Sequence, residues 1–365
     1  MQMAKQQNHE PLIKVTKNDA MPPLKAWCVR GICILAALIV CALVIVCITG
    51  QNPIEVYVAM FKGSFGSSRK IWTMLKETAM LLAISLAVTP AFKMRFWNIG
   101  AEGQVLVGAL ATAACMIMGK SLPTLAVILL SIVCSALAGV IWGIIPAFFK
   151  AKWNTNETLF TLMMNYIAMQ VVSYCIIFWE NPKGSNKVGI INPSTNVGWL
   201  PSVFGQQYFI PVVAILALTI IMYFYLKSSK HGYEIAVVGE SENTARYIGI
   251  NVKKVILRTM ALSGALCGLT GFLLVSGGGH TIASDTAGGQ GFTAILVSWL
   301  AKFNPIVMML TSFLLIFLGR GASEIATTFR LNESVSDIIT GIILFFIIGS
   351  EFFINYKVTF RKSHK

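Results

Sequence analysis

The chain has 365 residues, of which 56% are hydrophobic and 12% charged, and its mean hydropathy is +0.71. A soluble domain is roughly half apolar and a quarter charged, so this composition excludes one and indicates an integral membrane protein. The formal net charge of +14 does not require nucleic acid. On the topology read below, most Lys and Arg fall on the side holding the N-terminus, which is the positive-inside bias.

Residues 1–30 read as a cytoplasmic tail, and its leader from Met1 to Leu24, polar and carrying Lys5, Lys14 and Lys17, reads as disordered. Ten apolar runs follow, at about 31–49, 72–91, 99–118, 123–148, 157–178, 208–226, 255–276, 291–301, 305–319 and 335–354. A membrane-crossing helix needs about 20 such residues, because lipid offers its backbone polar groups no outside partner. The first run ends in ITGQNP without a small-x-small cleavage pattern and reads as a retained helix, not a secretory signal. The eighth run is too short to cross unaided and reads as broken or re-entrant. Ten crossings from an inside N-terminus place residues 355–365, with Lys357, Arg361, Lys362 and Lys365, in the cytoplasm as well. The fold expected is all-α: a polytopic membrane domain over 31–354 between two cytoplasmic tails. Six of the eight cysteines lie well within apolar runs and none forms a C-x-x-C pair, so they read as small hydrophobes.

Three landmarks recur in the same order in both halves. They are Gly103-Gln104 and Gly289-Gln290, then Pro123 and Pro305 opening an apolar run, then Asn156-Glu157-Thr158 and Asn332-Glu333-Ser334. The third run heads outward and its counterpart, the eighth, heads inward, so the repeat is read as inverted. Repeats of that kind place a pathway near the midplane at their interface.

Polar groups at membrane depth are the candidates for chemistry, since they are costly there unless they face a cavity or a partner. Asn98, Glu102 and Gln104 open the third run, and two readings stand. In one, Asn98 caps the helix and Glu102 sits in its positive first turn; in the other, they line a pathway. Asn156-Glu157 and Asn332-Glu333 read first as caps and dipole partners. Asn165 and Tyr166 lie inside the fifth run, where an amide needs a partner. Gln290 and the glycines around Asp285 form either a bend about a solute or a plain outer loop. Enzyme signatures are missing: Gly119-Lys120-Ser121 follows Ala114, where a phosphate loop needs glycine, and the four histidines are scattered.

The polar loop 227–254 joins the two halves. Ser241 caps a predicted short helix to about Tyr247, with Glu242 in its first turn and Gly249 ending it. A 28-residue loop with its own helix signals is long for a linker and reads as a docking surface for an energy-supplying partner.

FWNIGAEGQVLVGA, TLMMNYIA and GYEIAVVGESENTARYIGINVKKVI, continuing through ALSGALCGLTG, are similar to motifs of the permease subunits of bacterial ABC importers for nucleosides, simple sugars and related solutes. The likeness covers about residues 70–350, and the nucleoside branch is the most similar. It implies a type II importer-like permease in the cytoplasmic membrane, with pathway residues Asn98, Glu102, Gln104, Asn165, Tyr166 and Gln290. It also implies ATPase contact through Gly239, Glu240, Ser241, Ala245, Arg246, Tyr247, Gly249 and Ile250. The implied partners are an ATPase carrying both nucleotide sites with ATP and Mg, a second related permease and an extracellular solute-binding lipoprotein; this chain itself holds no cofactor. Ser241-Glu242-Asn243 departs from the family's Asn-Pro pattern, and Gln290 and Thr293 stand where relatives carry Tyr and Asp. The rival from another class is a gradient-driven secondary transporter with Glu102 or Glu157 as the coupling carboxylate.

Overall fold

The structure, a computed structural model, describes residues 13–17, 21–50, 52–185, 188–330 and 333–360. Lys5, Asn332, Arg361, Lys362 and Lys365 lie outside the described residues. Thirteen helices and two short strands follow in order. They are β1 (Ile13–Lys17), α1 (Pro23–Thr49), α2 (Pro53–Phe65), α3 (Ser68–Lys93), α4 (Ala101–Met118), α5 (Thr124–Trp153), α6 (Glu157–Trp179) and α7 (Phe209–Ser228). After these come α8 (Lys230–Glu240), α9 (Glu242–Tyr247), α10 (Val252–Leu274), a π-helical turn (Val275–Gly279), α11 (Gln290–Leu300), α12 (Pro305–Thr328), α13 (Glu333–Asn355) and β2 (Tyr356–Phe360). Among the described residues nine helices are long and apolar enough to cross a membrane, and α11 is a shorter apolar helix. The ten apolar runs of the sequence are these nine and α11.

The helix starts follow local chemistry. Asn52, Ser67, Asn156 and Asn251 each sit at an N-cap and accept a backbone N–H two or three residues on, satisfying a donor the helix leaves free. Asn156 is thus a cap, and Glu157 behind it pairs with Lys150 at 3.0 Å. The leader expected to be disordered instead carries β1, which pairs antiparallel with β2 from Ile13 opposite Phe360 to Lys17 opposite Tyr356. Ile-Lys-Val-Thr-Lys alternates apolar and polar with β-branched residues, a pattern that suits a strand.

The chain divides into two compact units, residues 1–66 with 318–365, and residues 67–317. In the first, α1 lies along α13, Arg30 Nη2 meets Glu351 Oε1 at 2.6 Å, and the Cys41 thiol donates to the Ile339 carbonyl.

In the second unit α10 is the central packing element, against α3, α4 and α5. Glycines make the contact. A Cβ on Gly264 would fall 2.2 Å from Gly139 O of α5, and one on Gly268 would fall 2.1 Å from Ser135 O. A Cβ on Gly108 of α4 would meet Gly268 Cα at 2.4 Å. Lipid is as apolar as leucine, so helices in it associate by close van der Waals packing, and small residues let backbones touch. The three helices are therefore held at a spacing that any side chain at these positions would break.

Candidate functional site

Helix α3 ends where Phe96 N bonds back to Ala91 O, and Arg95 takes a positive φ of 61° to turn the chain. The turn carries Asn98 into the interior, where it is fully buried. Asn98 Oδ1 accepts from Gly100 N at 3.1 Å and from Gln104 Nε2 at 3.3 Å, while its Nδ2 donates to Ser263 Oγ of α10 at 3.1 Å. Gly100, not Asn98, occupies the N-cap position of α4. Asn98 therefore shapes the turn and ties it to α10.

Asn165 makes the matching contact from α6. Its Oδ1 accepts from Gly103 N and its Nδ2 donates to Ile99 O, both at 2.8 Å. Both ends of one buried amide are satisfied by the backbone at the start of α4, so the rotation of α6 about its own axis is fixed against that helix. A Cβ on Gly103 would fall 3.0 Å from Asn165 Cα, which explains a glycine there.

Glu102 does more than sit in the first turn of its own helix. Its Oε1 accepts from Gly289 N at 2.8 Å and its Oε2 from Gly291 N at 2.7 Å, so the carboxylate caps the N-terminus of α11 from 187 residues away. A helix N-terminus presents free N–H groups and a positive dipole end. The two copies of the first recurring sequence landmark, Gly103-Gln104 and Gly289-Gln290, are thereby brought close together through Glu102. Gln290 itself has a buried Oε1 with no hydrogen-bond partner.

The polar residues singled out in the sequence thus fall into two groups. Asn98, Glu102, Gln104 and Asn165 are buried, the first, third and fourth hydrogen-bonded at the start of α4 and Glu102 at the start of α11, whereas Tyr166 is 60% exposed. Sequence reasoning missed Ser263 and Thr161, whose hydroxyls complete the network; Thr161 Oγ1 accepts from Ile99 N at 3.2 Å.

The second candidate surface lies on α8 and α9. Ser241 Oγ caps α9 by accepting from Thr244 N at 3.2 Å, and Gly249 follows at φ +84°. Helix α9 runs from Glu242 to Tyr247, the segment expected from the sequence. Ala245, Ile235 and Val238 sink into an apolar cluster with Ala91, Met94 and Phe96 and with Val252, Val255 and Met260 of α10. Gly239 lies so close to the end of α3 that a Cβ would stand 2.1 Å from Lys93 O. The outer side is polar and open: Glu240 is exposed, Arg246 and Glu242 pair at 3.2 Å, and Tyr247 is 93% exposed. One face of the short helix is anchored and the other is exposed.

His231, which the sequence gave no reason to select, pins α8 from within. Its Nδ1 is hydrogen-bonded to the Tyr225 hydroxyl of α7 and its Nε2 lies 3.3 Å from Thr259 Oγ1 of α10. Burial, and next the Arg258 guanidinium, hold its pKa below the ordinary 6.5.

Residues 71–348 match the family model described as branched-chain amino acid transport system / permease component. The chain is 29% identical over 354 residues to the glucose ABC transporter permease protein of Haloferax volcanii, spanning 93% of this chain and 92% of that one. It is 30% identical to the guanosine ABC transporter permease protein of Bacillus subtilis, over 84% of this chain and 88% of that one. It is 28% identical to the nucleoside ABC transporter permease protein of Lactococcus lactis subsp. cremoris, over 82% of this chain and 84% of that one. With the membrane-crossing helices already described, these matches make the chain a multi-pass membrane protein of the branched-chain amino acid transport system / permease component family, whose relatives here are ABC permeases for nucleosides and sugars.

Proposed function

We propose that the chain is the membrane-spanning subunit of an ATP-driven importer that brings nucleosides into the cell. The observation that carries this reading is the 30% identity to a guanosine permease over 84% of the chain. A simple sugar is the second reading, favoured by the 29% identity to a glucose permease over 93% of the chain. In either case the chain has no ATP chemistry of its own. ATP and Mg are held by a partner ATPase with two nucleotide sites, which docks on the exposed face of α9 through Glu240, Arg246 and Tyr247. Gly239, Ser241, Ala245, Gly249 and Ile250 shape and seat that helix. Nucleotide-driven closure of the ATPase biases the permease between two conformations, by as much as the partner's affinity differs between them.

A second, related permease and an extracellular solute-binding lipoprotein complete the assembly. The chain lies in the bacterial cytoplasmic membrane with residues 1–30 and 355–365 inside. The pairing of β1 with β2 supports a common side for the two tails. Asn98, Glu102, Gln104 and Asn165 brace the pathway wall, with Gln290 beside them. Tyr166 faces the solute.

The test is uptake of radiolabelled guanosine and glucose in cells expressing the whole system, with the membrane potential collapsed and ATP maintained. Guanosine uptake that persists and exceeds glucose uptake supports the reading. Uptake that stops with the potential makes the protein a secondary transporter, and glucose uptake alone selects the sugar reading.

A further inference from the structure

The two strands make a sheet with unlike faces. Partners across the ladder, Val15 opposite Val358 and Thr16 opposite Lys357, stand on one face, and residues two apart return to it. Register therefore groups Ile13, Val15 and Lys17 with Tyr356, Val358 and Phe360, an apolar and aromatic face with a single lysine. The other face takes Lys14 and Thr16 with Lys357 and Thr359 and is polar and basic. Val15 is 50% exposed and Tyr356 43% exposed on the first face, and Thr16 and Lys357 are exposed on the second.

A two-stranded sheet alone is marginal in water and becomes stable when its apolar face is covered. Three observations identify the cover. The sheet is tied to the bilayer: β2 begins at the residue after α13 ends, residues 18–22 join β1 to α1, and both helices carry a span long and apolar enough to cross a membrane. At about 3.3 Å per residue, the far end of β2 is no more than about 17 Å from α13. Next, the Tyr356 ring stacks on Phe352 of α13 with centroids 5.4 Å apart, and Phe352 and its neighbour Phe353 are themselves exposed. The apolar face thus continues an exposed aromatic surface of a membrane-crossing helix, and tyrosine suits the boundary where that surface meets water. Finally, the charge has one sign. Residues 13–17 and 356–365 carry Lys14, Lys17, Lys357, Arg361, Lys362 and Lys365 and no acid, and Asp19 is a single opposing charge in the connection to α1. Glu351, near the end of α13, is held by Arg30 at 2.6 Å and by the Asn355 amide.

We propose that the paired tails lie on the membrane surface as an amphipathic sheet that binds anionic phospholipid headgroups. The apolar face enters the boundary between headgroups and acyl chains, and the positive charge of the strands stays within a Debye length, about 8 Å, of the lipid phosphates. Buried apolar area combined with basic charge is what holds interfacial elements on anionic membranes. The sheet joins both ends of the chain into one surface anchor beside the α1–α13 pair. The anchor is independent of the solute carried.

The test is hydrogen–deuterium exchange, read by mass spectrometry, on the full chain in vesicles of phosphatidylcholine alone or mixed with phosphatidylglycerol. Amides of 13–17 and 356–360 are expected to exchange at least about tenfold more slowly with phosphatidylglycerol present, the scale of two lysines at an anionic surface. About 1 M salt, which shortens the Debye length to about 3 Å, should remove that difference, as should Lys14→Glu combined with Lys357→Glu. Val15→Asn should lose the protection in both lipids and Val15→Ile should keep it, with exchange in α13 unchanged in both variants. Equal exchange in the two lipids, or protection that survives the double charge reversal, overturns the proposal. Protection that appears only when a partner ATPase is added, or only at a high ratio of protein to lipid, overturns it as well, since the face then belongs to a protein.

Discussion

Replacing Glu102 separates a structural cap from a transport group. In Glu102→Ala, Gly289 N and Gly291 N lose the hydrogen-bond acceptor they have among the described residues. Gly291 is buried, so its orphaned donor costs about 1–3 kcal/mol. Gly289 is exposed, water replaces the lost acceptor, and about 0.5–1 kcal/mol is lost there. Removing a negative charge from the N-terminus of α11 adds about 0.3–1 kcal/mol. The total for Glu102→Ala is about 2–5 kcal/mol. Glu102→Gln keeps one acceptor oxygen and loses the charge, and should cost roughly half as much. The assay is reversible unfolding of the purified protein in mixed micelles by SDS titration, with guanosine uptake measured on the same variants. The cap predicts a graded loss of stability in the order Ala, Gln, wild type, with uptake following the folded fraction. If both variants unfold within about 0.5 kcal/mol of wild type while uptake is abolished, the carboxylate acts on the solute or on a proton and the capping argument is wrong.

Gly268→Val should lower stability by about 1–3 kcal/mol or more, since a Cβ at Gly268 meets the α5 backbone at 2.1 Å; Gly31→Ala, with open space around it, should be neutral or slightly stabilising in the same SDS titration. Ala245→Asp places a charge in the apolar cluster under α9 and should destabilise the fold by several kcal/mol, whereas Tyr247→Ala should leave stability within about 0.5 kcal/mol and reduce ATPase co-purification and uptake. His231 gives a pH test. Its pKa is lowered in the folded state, so its stability contribution is complete above the unfolded value of 6.5. As pH falls below that value the unfolded chain takes up the proton first and stability declines until the folded pKa is passed. His231→Gln should flatten this step in unfolding measured between about pH 5 and 8.

The helices and the short capped α9 were legible in the sequence because the signals that form them are local. Twenty apolar residues, a serine followed by an acidic first turn, and a glycine at the end of a helix each act within one or two turns. Partners hundreds of residues apart were not legible. Glu102 reads from its neighbours as a first-turn carboxylate, and nothing nearby announces the N–H groups of Gly289 and Gly291. The four-residue spacing of Gly139 with Gly143 and of Gly264 with Gly268 is visible in the sequence, but which pair packs on which is decided by the fold. For α6 the apolar character is nearly uniform around the helix, so the sequence shows a span without saying which side is buried. Asn165 decides that side through two hydrogen bonds to α4. In β1 the five-residue alternation is too short to outweigh the polarity of the leader, and the strand depends on a partner at the far end of the chain.

Helix α10 links the two candidate surfaces with little intervening chain. Val252 and Val255 at its start pack under α9, Thr259 meets His231, and Ser263, one turn further on, holds Asn98. Thr259 and Ser263 are about 6 Å apart along the axis, and the next two turns are fixed to α4 and α5 by backbone contact at Gly264 and Gly268. A force applied to α9 by a docked partner therefore reaches the turn at Asn98 through one rigid element. Close-packed backbones resist bending, so any shift of α10 is expected to be a slide or rotation of the whole element. The π-helical turn at Val275–Gly279 is the place where that motion is most readily absorbed, because its hydrogen bonds already run one residue out of the α-helical register. If a partner docks on α9 as proposed, coupling depends on whether α10 has two stable positions. A pair of cysteine cross-links distinguishes the outcomes: one that fixes α10 to α5 should block uptake without preventing ATPase docking, and one within α10 alone should leave both intact.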